Sequence, residues 1–472
     1  MNPDQRDAIL DSVRYLRNVR PIDPDEIREY VPDQPHPGVV TQTIRESAVE
    51  LGLSERADGT FVPAPEGPLD ASVDRVETFP ERYTRIVEDQ LVGEFGAGWP
   101  TGESGATLRS RVRSVKESYL QGDGVTYDRL TALAYAIYHL PDYYAVGQYA
   151  LNPLLSDDRL PAQLRVLDIG AGVGGPALGM LDLVCDAGGI VDYHAVEPSA
   201  AADVLSELLD ETARNAHTTV HRERAEDFEP DGTFDLIVFS NVLDELESPA
   251  TVLEHYGDAL EPDGSILALS PADKRTATGL RTTERAVEDT YTIYAPTVRL
   301  WPGETPAGEC WSFDRKPDLA APPFQQRLDD ACDDTDHDDG EFRNTDVQYA
   351  YSILRRDDAT AIEYRPDESR VTTMADADSY VTDRVDVVGI KLSPDLSSGP
   401  DANPLFLVGD GSEAIDHFAV LTRESTLNRG LVESQYGDLL SFENALALWN
   451  DDEGAYNLVV DAETVVDSVP VP

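Results

Sequence analysis

The sequence predicts an α/β fold built around a parallel, Rossmann-type sheet, and three features of its 472 residues support this prediction. Between residues 163 and 270, strand-like segments alternate with helical ones, as in a parallel sheet with crossover helices. The first strand-like segment, Leu164–Asp168, leads through a glycine-rich turn to Pro176, a residue suited to the first turn of a helix. The segment Val347–Leu354 is expected to complete the same sheet.

Two regions precede the sheet in the predicted organisation. Residues 1–66 have the outline of three short helices and a β-wing, which defines a winged-helix-like module. Residues 80–150 are predicted to be a helical domain, with one helix over Tyr127–Leu140 that leads to Pro141. Acidic residues outnumber arginines in the first module, so we favour a structural or protein-binding role over DNA binding there.

The sheet domain is assigned to residues 151–356 and a small β-rich domain to residues 380–472. Strand-like runs rich in valine, leucine and phenylalanine fill the C-terminal part of the chain. Residues 271–330 are rich in proline, threonine and arginine, and we expect them to be irregular.

The charge of the chain is extreme, with 90 acidic against 37 basic residues and a net charge of −53. The acidic residues are spread along the whole sequence, and only four of the basic residues are lysines. We interpret this composition as a halophilic adaptation to high salt, rather than as mimicry of nucleic acid or a site for one basic partner. At molar salt the Debye length is about 3 Å, so the net charge does not argue against an RNA partner.

One short segment departs from this acidic background. Four cations fall between Arg109 and Lys116. They could face a phosphate backbone, or they could be paired with the surrounding acids, and we favour the second interpretation.

No apolar run approaches the length of a membrane span, and the N-terminal residues lack the apolar core of a signal peptide. We therefore expect a cytoplasmic protein with no membrane partner.

The glycine-rich turn indicates which cofactor the sheet binds. Asp168 ends the first strand, and Gly170, Ala171, Gly172 and Gly174 follow it. Glycines let the backbone approach a ligand closely, and the start of the next helix offers free N–H groups. A dinucleotide fold has the same outline. An Asp-x-Gly-x-Gly pattern instead of GxGxxG favours S-adenosylmethionine and a class I methyltransferase.

Later strand ends supply the other candidate cofactor ligands. Glu197 ends the second strand, where a carboxylate can accept hydrogen bonds from both ribose hydroxyls. Ala225 and Glu226 follow the third strand, in the region that meets adenine in this class, although Arg224 occupies the position of the usual acid. Asn241 follows the fourth strand beside the expected position of the donor methyl group.

Three residues after the fourth strand are candidates for catalysis: Asn241, Asp244 and Glu245. A positioned carboxylate can remove a proton from a methyl acceptor. The alternative interpretation is that these residues cap a helix and cover a solvated face. The Asn/Asp-Pro-Pro-Tyr segment of base-amine methylases is absent, and we place no nucleophilic cysteine beside the pocket.

Several longer segments resemble the mitochondrial small-ribosomal-subunit assembly-factor methyltransferase-like family and its bacterial and archaeal relatives. The resemblance covers roughly residues 80–445. Its segments are Ala132–Tyr144, Val166–Gly175, Phe239–Leu246, Tyr294–Pro296, Gly303–Phe313, Gln348–Arg356 and Tyr436–Leu440. It implies a function on the small ribosomal subunit or its rRNA.

Many members of that family hold an iron–sulfur cluster on four cysteines. Cys310 matches one of these positions, but the other expected positions, around residues 296–302, hold no cysteine, and Cys185 and Cys332 lie elsewhere. One thiolate cannot hold a four-iron cluster. We therefore expect no cluster and no other metal.

Three functions remain open at this stage. The first is a SAM-dependent methyltransferase that acts on small-subunit rRNA, on a ribosome-associated protein or on their precursors. The second is a non-catalytic, SAM-binding ribosome assembly factor. The third is a DNA-binding regulator that uses the winged-helix-like module.

Overall fold

A computed structural model describes residues 3–122, 125–334, 337–399 and 401–470. The chain forms two compact units. The first unit contains Met1–Ile237 and Leu319–Thr345, and the second contains Val238–Asp318 and Asp346–Pro472. The chain therefore passes between the units more than once, and neither unit is one continuous stretch of sequence.

The N-terminal region folds into four short helices followed by two strands, one helix more than predicted, because the predicted third helix is divided at Ser47. The elements are α1 (Pro3–Leu16), α2 (Pro24–Tyr30), α3 (Pro37–Glu46), α4 (Ala48–Leu51), β1 (Leu53–Glu55) and β2 (Phe61–Pro63). Asp23 caps α2 by accepting a hydrogen bond from the backbone N–H of Asp25 at 2.9 Å. Gly52 ends α4 with a φ of 58°, and Val40 and Ile44 of α3 lie in a shared apolar core.

Four helices follow, and one of them is longer than predicted. They are α5 (Glu81–Phe95), α6 (Gly102–Gln121), α7 (Arg129–Tyr149) and α8 (Asn152–Ser156). The prediction that a helix ends near Leu140 is wrong, because α7 continues through Pro141. A proline has no N–H for the carbonyl four residues earlier. Here Gln325 Nε2 donates to that carbonyl, the oxygen of Ile137, at 2.8 Å.

The basic segment of α6 is paired with groups of the same unit. Arg109 is buried and donates to the carbonyl oxygens of Pro100 and Leu328. Arg113 Nε lies 2.7 Å from a carboxylate oxygen of Glu341, and this pair raises the pKa of Arg113 and lowers the pKa of Glu341 to about 2. The structure therefore supports ion pairing for this segment over contact with phosphates.

An eight-stranded sheet confirms the predicted Rossmann-type architecture. Its strands are β3 (Gln163–Ile169), β4 (Ile190–Val196), β5 (Ala216–His221), β6 (Phe234–Ser240), β7 (Leu260–Ser270), β8 (Thr292–Ala295), β9 (Asp314–Lys316) and β10 (Val347–Arg355). The order is β5-β4-β3-β6-β7-β10-β8, and β9 pairs with β10. Strands β3, β4 and β5 are parallel, whereas β10 is antiparallel to both β7 and β8.

The helices of this sheet include two that the sequence did not predict. The helices are α9 (Gly175–Asp186), α10 (Ala201–Leu209), α11 (Pro249–Gly257), α12 (Lys274–Ala286) and α13 (Pro323–Asp330). Residues 271–330 are therefore not irregular throughout, since α12 and α13 lie within them. Asp273 caps α12 by accepting from Thr276 N at 3.1 Å, and Ala277 and Leu280 are buried.

The C-terminal region forms the predicted small β-rich domain, as a closed barrel. Its elements are a 3-10 segment (Met374–Tyr380), β11 (Arg384–Lys391), β12 (Leu405–Gly409), β13 (His417–Leu421), α14 (Gly430–Glu433), β14 (Leu439–Asn450), β15 (Ala455–Val460) and β16 (Val465–Ser468). The ring β11-β12-β13-β15-β14 closes because β14 also pairs with β11, and β16 is added to β14. Strands β13 and β15 are parallel.

No helix in the described ranges is both long enough and apolar enough to cross a membrane.

Helices α7 and α9 of the first unit approach each other at glycines. A Cβ atom on Gly179 would lie 2.1 Å from the carbonyl oxygen of Tyr144, and one on Gly147 would lie 2.2 Å from that of Pro176. Gly175 is also restricted, because its Cβ would lie 2.7 Å from Cβ of Tyr143. These contacts fix the start of α9, which follows the glycine-rich turn directly.

We predict that Gly179→Ala lowers the free energy of unfolding by about 1–3 kcal/mol, because the added methyl group meets backbone that cannot move aside. Urea denaturation measures this difference. The matched control is Gly93→Ala in α5, where nothing lies within 4 Å and the substitution should stabilise the helix by about 0.5–1 kcal/mol. Equal effects of the two variants would contradict the tight contact.

Candidate functional site

The centre of the candidate site in the first unit is a buried carboxylate at the end of β3. Asp168 is 1% exposed, and its Oδ2 accepts a hydrogen bond from the hydroxyl of Tyr193 at 2.8 Å. Burial raises the pKa of Asp168 to about 7, although the Tyr193 hydrogen bond opposes this shift and Glu197 adds to it. Its Oδ1 is buried and has no hydrogen-bond partner. A buried acceptor without a partner is costly, and a ligand donor would satisfy it.

The glycine-rich turn connects this carboxylate to α9. Gly170, Gly172 and Gly174 have φ values of 70°, 55° and 87°, in the left-handed region that other residues rarely adopt. The amide of Gly170 donates to the carbonyl of Val196 at 2.8 Å, and that of Ala171 to the same oxygen at 3.3 Å, which ties the turn to the end of β4. A Cβ on Gly172 would meet nothing within 4 Å. The turn thus presents open space at Gly172.

Glu197 follows β4 and is joined to the same turn. Its Oε2 accepts from the amide of Gly172 and its Oε1 from the amide of Ser199, both at 2.9 Å. The side chain is mostly buried, at 7% exposure for the residue. A carboxylate oxygen has two acceptor positions, so each can still accept a ribose hydroxyl.

The segment after β5 contains the predicted adenine contacts. Ala225 is buried, whereas Glu226 and Arg224 are exposed. The carbonyl of Arg224 accepts from the amides of Asp227 and Phe228, both at 3.1 Å, so these residues form a tight turn. Which of them meets adenine stays a prediction.

The candidate catalytic residues lie just after β6, in the second unit. Asn241 has a φ of 56°, and its backbone N–H donates to the carbonyl of Leu269 at 3.0 Å. The Oδ1 of its side chain is buried and has no hydrogen-bond partner. Asp244 and Glu245 lie in the 3-10 turn Leu243–Glu245. Asp244 Oδ2 is 3.3 Å from Arg275, and burial raises the pKa of Asp244 while Arg275 opposes the shift.

The cysteines are all free thiols, and they do not form a cluster site. Cys310 is buried, and its amide donates to Asp416 Oδ1 at 2.9 Å. Burial raises the pKa of the Cys310 thiol, and it does the same for Cys185, to about 12. Among the residues that the structure describes, no group of three His, Cys, Asp or Glu side chains could hold a metal ion.

The residues of the first unit fit S-adenosylmethionine on two observations. The buried Oδ1 of Asp168 needs a donor, and Gly172 borders open space that a side chain would fill. Asp168, Gly170, Ala171, Gly172, Gly174 and Glu197 are the residues that would hold it. Each of them lies where the sequence predicts, next to or within the turn between β3 and α9 or at the end of β4.

Comparisons with known proteins support this assignment. A family model described as a methyltransferase domain matches residues 144–321. The N-terminal and C-terminal domain models of a domain of unknown function (DUF8157) match residues 6–57 and 375–469. No curated protein matches the chain significantly.

Similar solved structures include three methyltransferases. The plantazolicin methyltransferase BpumL with bound SAH is 12% identical over 58% of this chain and 98% of its own, with a TM-score of 0.29. Magnesium protoporphyrin IX methyltransferase (ChlM) of Synechocystis PCC 6803 with bound SAM is 16% identical over 48% and 91%, with a TM-score of 0.27. A SAM-dependent methyltransferase from Aquifex aeolicus is 16% identical over 28% and 75%, with a TM-score of 0.24.

The fold, the strand-end carboxylates and the family match define the class: the chain contains a SAM-dependent methyltransferase domain. The predicted enzyme class and cofactor are thereby confirmed.

Tyr193 is a site residue that the sequence analysis missed. It lies on β4, pairs in register with Val166 of β3, and donates to Asp168. Burial and the neighbouring Asp168 raise the pKa of Tyr193, so its phenol remains protonated and donates this hydrogen bond. Counting back from Glu197 could have located it, because alternate residues of a strand face the same side of the sheet.

We predict a pH-dependent stability that Asp168→Asn removes. The folded state holds a proton on Asp168 up to about pH 7, whereas the unfolded carboxyl releases it near its usual pKa. The free energy of unfolding therefore falls by up to about 4 kcal/mol as the pH rises through this window, and Asp168→Asn lacks this fall. Urea denaturation at both ends of the window measures the difference. Asp210→Asn, on an exposed acid, is the control. A constant gap between Asp168→Asn and the wild type across this range would contradict the assignment.

Proposed function

We propose that the chain transfers the methyl group of S-adenosylmethionine to the small ribosomal subunit, on its rRNA or on an associated protein, or to their precursors. The observation that carries the binding of S-adenosylmethionine is the buried Oδ1 of Asp168, which has no hydrogen-bond partner, together with the open space at Gly172 of the adjoining turn. The resemblance of the chain to small-subunit assembly-factor methyltransferases supports the small ribosomal subunit as the methyl acceptor. The partner is thus a ribosomal particle or its RNA.

The residues of the chain divide the chemistry between them. When bound, S-adenosylmethionine supplies an electrophilic methyl group on a sulfonium. Asp168 and Glu197 bind and orient the donor, and the left-handed backbone at Asn241 holds an amide with a free acceptor oxygen after β6. Asp244 is the proton acceptor for the methyl acceptor group, and Arg275 keeps part of its population ionised.

A second candidate function is a SAM-binding assembly factor without catalysis. The observation that favours it is that Asp244, a candidate proton acceptor, already has its carboxylate paired with Arg275. A DNA-binding regulator is a third candidate, supported by the N-terminal short helices that precede the two-stranded hairpin β1–β2. We also propose that the acidic composition is an adaptation to high salt, so SAM binding and methyl transfer are measured in molar KCl.

We predict that Gly172→Ala weakens SAM binding at least tenfold and abolishes label transfer to small-subunit particles, because its methyl group enters the open corner of the turn. Isothermal titration and transfer from methyl-labelled SAM measure the two effects. Gly188→Ala is the matched control, because Gly188 has a similarly positive φ of 84° and open surroundings but lies after α9. SAM binding without transfer to any ribosomal acceptor would favour the non-catalytic candidate.

We predict that Asp244→Asn lowers the transfer rate by about 10²–10⁴-fold while SAM binding is retained. Arg275→Gln should move the acidic limb of the rate profile to higher pH, because loss of the cation leaves the Asp244 carboxyl with a still higher pKa. Glu247→Gln, on an exposed acid of the same segment, is the control. A rate profile unchanged by Arg275→Gln would remove Asp244 from this role.

A further inference from the structure

The C-terminal barrel has the connectivity of an OB-fold. Its first three strands, β11, β12 and β13, are joined in antiparallel order, and the third is parallel to the fifth, β15. A short helix, α14, lies between the third and fourth strands, and the fourth strand closes the ring onto the first. OB-folds bind oligonucleotides or oligosaccharides on the outer face of strands two and three.

Part of that outer face is covered by another segment of the second unit. On β12, Phe406 and Val408 point into the barrel core, whereas Leu407 between them packs in an outer cluster with Leu300 and Trp301. Phe418 of β13 packs against the same cluster. An oligonucleotide or oligosaccharide on this face would therefore contact the covering segment as well as strands β12 and β13.

A cavity of about 740 Å³ lies along this covering segment. Its wall includes Val298, Leu300, Ile362 and Tyr364, all of which also pack in the outer cluster of the barrel. The volume falls within the range of about 300–1,000 Å³ that small-molecule sites occupy. The cavity is thus large enough for a nucleotide and adjoins the face that OB-folds use.

Aromatic side chains line this cavity. Tyr291 and Tyr294 belong to its lining but are almost fully buried, and Arg356 and Arg355 lie 5.4 and 5.7 Å from their ring centroids. Tyr364 is only half-buried and lines the wall. Single-stranded nucleic acids bind by stacking bases on accessible rings, and among these three tyrosines Tyr364 is the accessible one.

The charge around the cavity differs from that of the chain as a whole. Its lining holds two arginines, Arg299 and Arg365, against two acids, Glu288 and Glu363. In the whole chain, acids outnumber cations by 90 to 37. Arg299 is ion-paired with Glu288, whereas Arg365 is exposed and has no ion pair within the described part of the chain. An unpaired arginine at the rim can bind a phosphate.

We propose that this cavity binds a nucleotide of a single-stranded RNA, with its base stacked on Tyr364 and a neighbouring phosphate on Arg365. The inference rests on the proposed function in one respect, since the strand would belong to the RNA of the ribosomal particle. The cavity then serves as a substrate-holding site separate from the residues that bind the methyl donor.

The test is fluorescence anisotropy of the full chain with a short, fluorescein-labelled single-stranded RNA of mixed sequence, over a series of KCl concentrations. Tyr364→Leu keeps an apolar side chain on the barrel but removes the ring, and we expect about tenfold weaker binding. Arg365→Gln should reduce the slope of log affinity against log salt by about 0.7, because one phosphate contact is lost.

Two variants serve as matched controls. Tyr15→Leu removes a tyrosine that is 81% exposed in α1, and Arg370→Gln removes an exposed arginine of the same segment that does not line the cavity. Both should bind RNA as the wild type does. Thermal unfolding of all four variants confirms that each is folded. Uridine monophosphate and an RNA duplex are tested as competitors, and we expect neither to displace the strand as well as unlabelled single-stranded RNA.

The outcomes separate this inference from the proposed function. Absence of RNA binding, or equal binding and equal salt slopes for Tyr364→Leu, Arg365→Gln and the controls, overturns the inference. So does methyl transfer to RNA that Tyr364→Leu leaves unchanged, and so does equal competition by the mononucleotide. RNA binding that depends on Tyr364, together with no transfer to any ribosomal acceptor, supports the cavity and overturns only the proposed methyl transfer.

Discussion

The contact between α7 and α9 in the first unit is a constraint on which the candidate site depends. Both helices approach at positions where the side chain is a hydrogen atom, so backbone lies against backbone. The start of α9 is thereby held in place, and with it the end of the glycine-rich turn. The turn is tied at its other side to the carbonyl of Val196. A cofactor loop with left-handed residues needs such support, because its own conformation is strained for any residue with a side chain.

This chain has few cations, and several of its arginines are buried or link separate segments. Arg109, Arg281 and Arg355 are among the largest fully buried side chains, and each is hydrogen-bonded inside its own unit. Arg113 links α6 to the segment that carries Glu341. Arginine suits these positions because its planar fork satisfies several acceptors at once.

The sequence was most informative where local chemistry alone decides the structure. The glycines at positions 170, 172 and 174 and the apolar runs around them specify β3, the turn and α9 without reference to distant residues. The β-rich character of the C-terminal region was likewise expected from its apolar runs, and β11, β12, β13 and β15 form there. The roles of individual site residues stay predictions, because they depend on ligands that sequence patterns do not specify. The domain boundaries also stay predictions.

Other features could not be predicted because distant residues determine them. The amphipathic helix α12 lies in a segment rich in threonine and arginine, and its Arg281 is buried against Glu284 and the carbonyl of Tyr351, contacts that helix propensity does not reveal. The long strand β14 and the short β16 are defined by their pairing partners more than by their composition. Tyr193 became a site residue only once the register of β4 on β3 was known.

The hydrogen bond from Gln325 to the carbonyl of Ile137 has a consequence for folding during synthesis of the chain. The first unit needs residues up to Thr345, although most of it precedes residue 238. During synthesis, α7 emerges with a carbonyl that Pro141 leaves without a donor, and its partner is translated much later. The methyltransferase strands of the second unit begin to emerge before the first unit is complete. The first unit can therefore complete its contacts only after residues 319–345 have been synthesised.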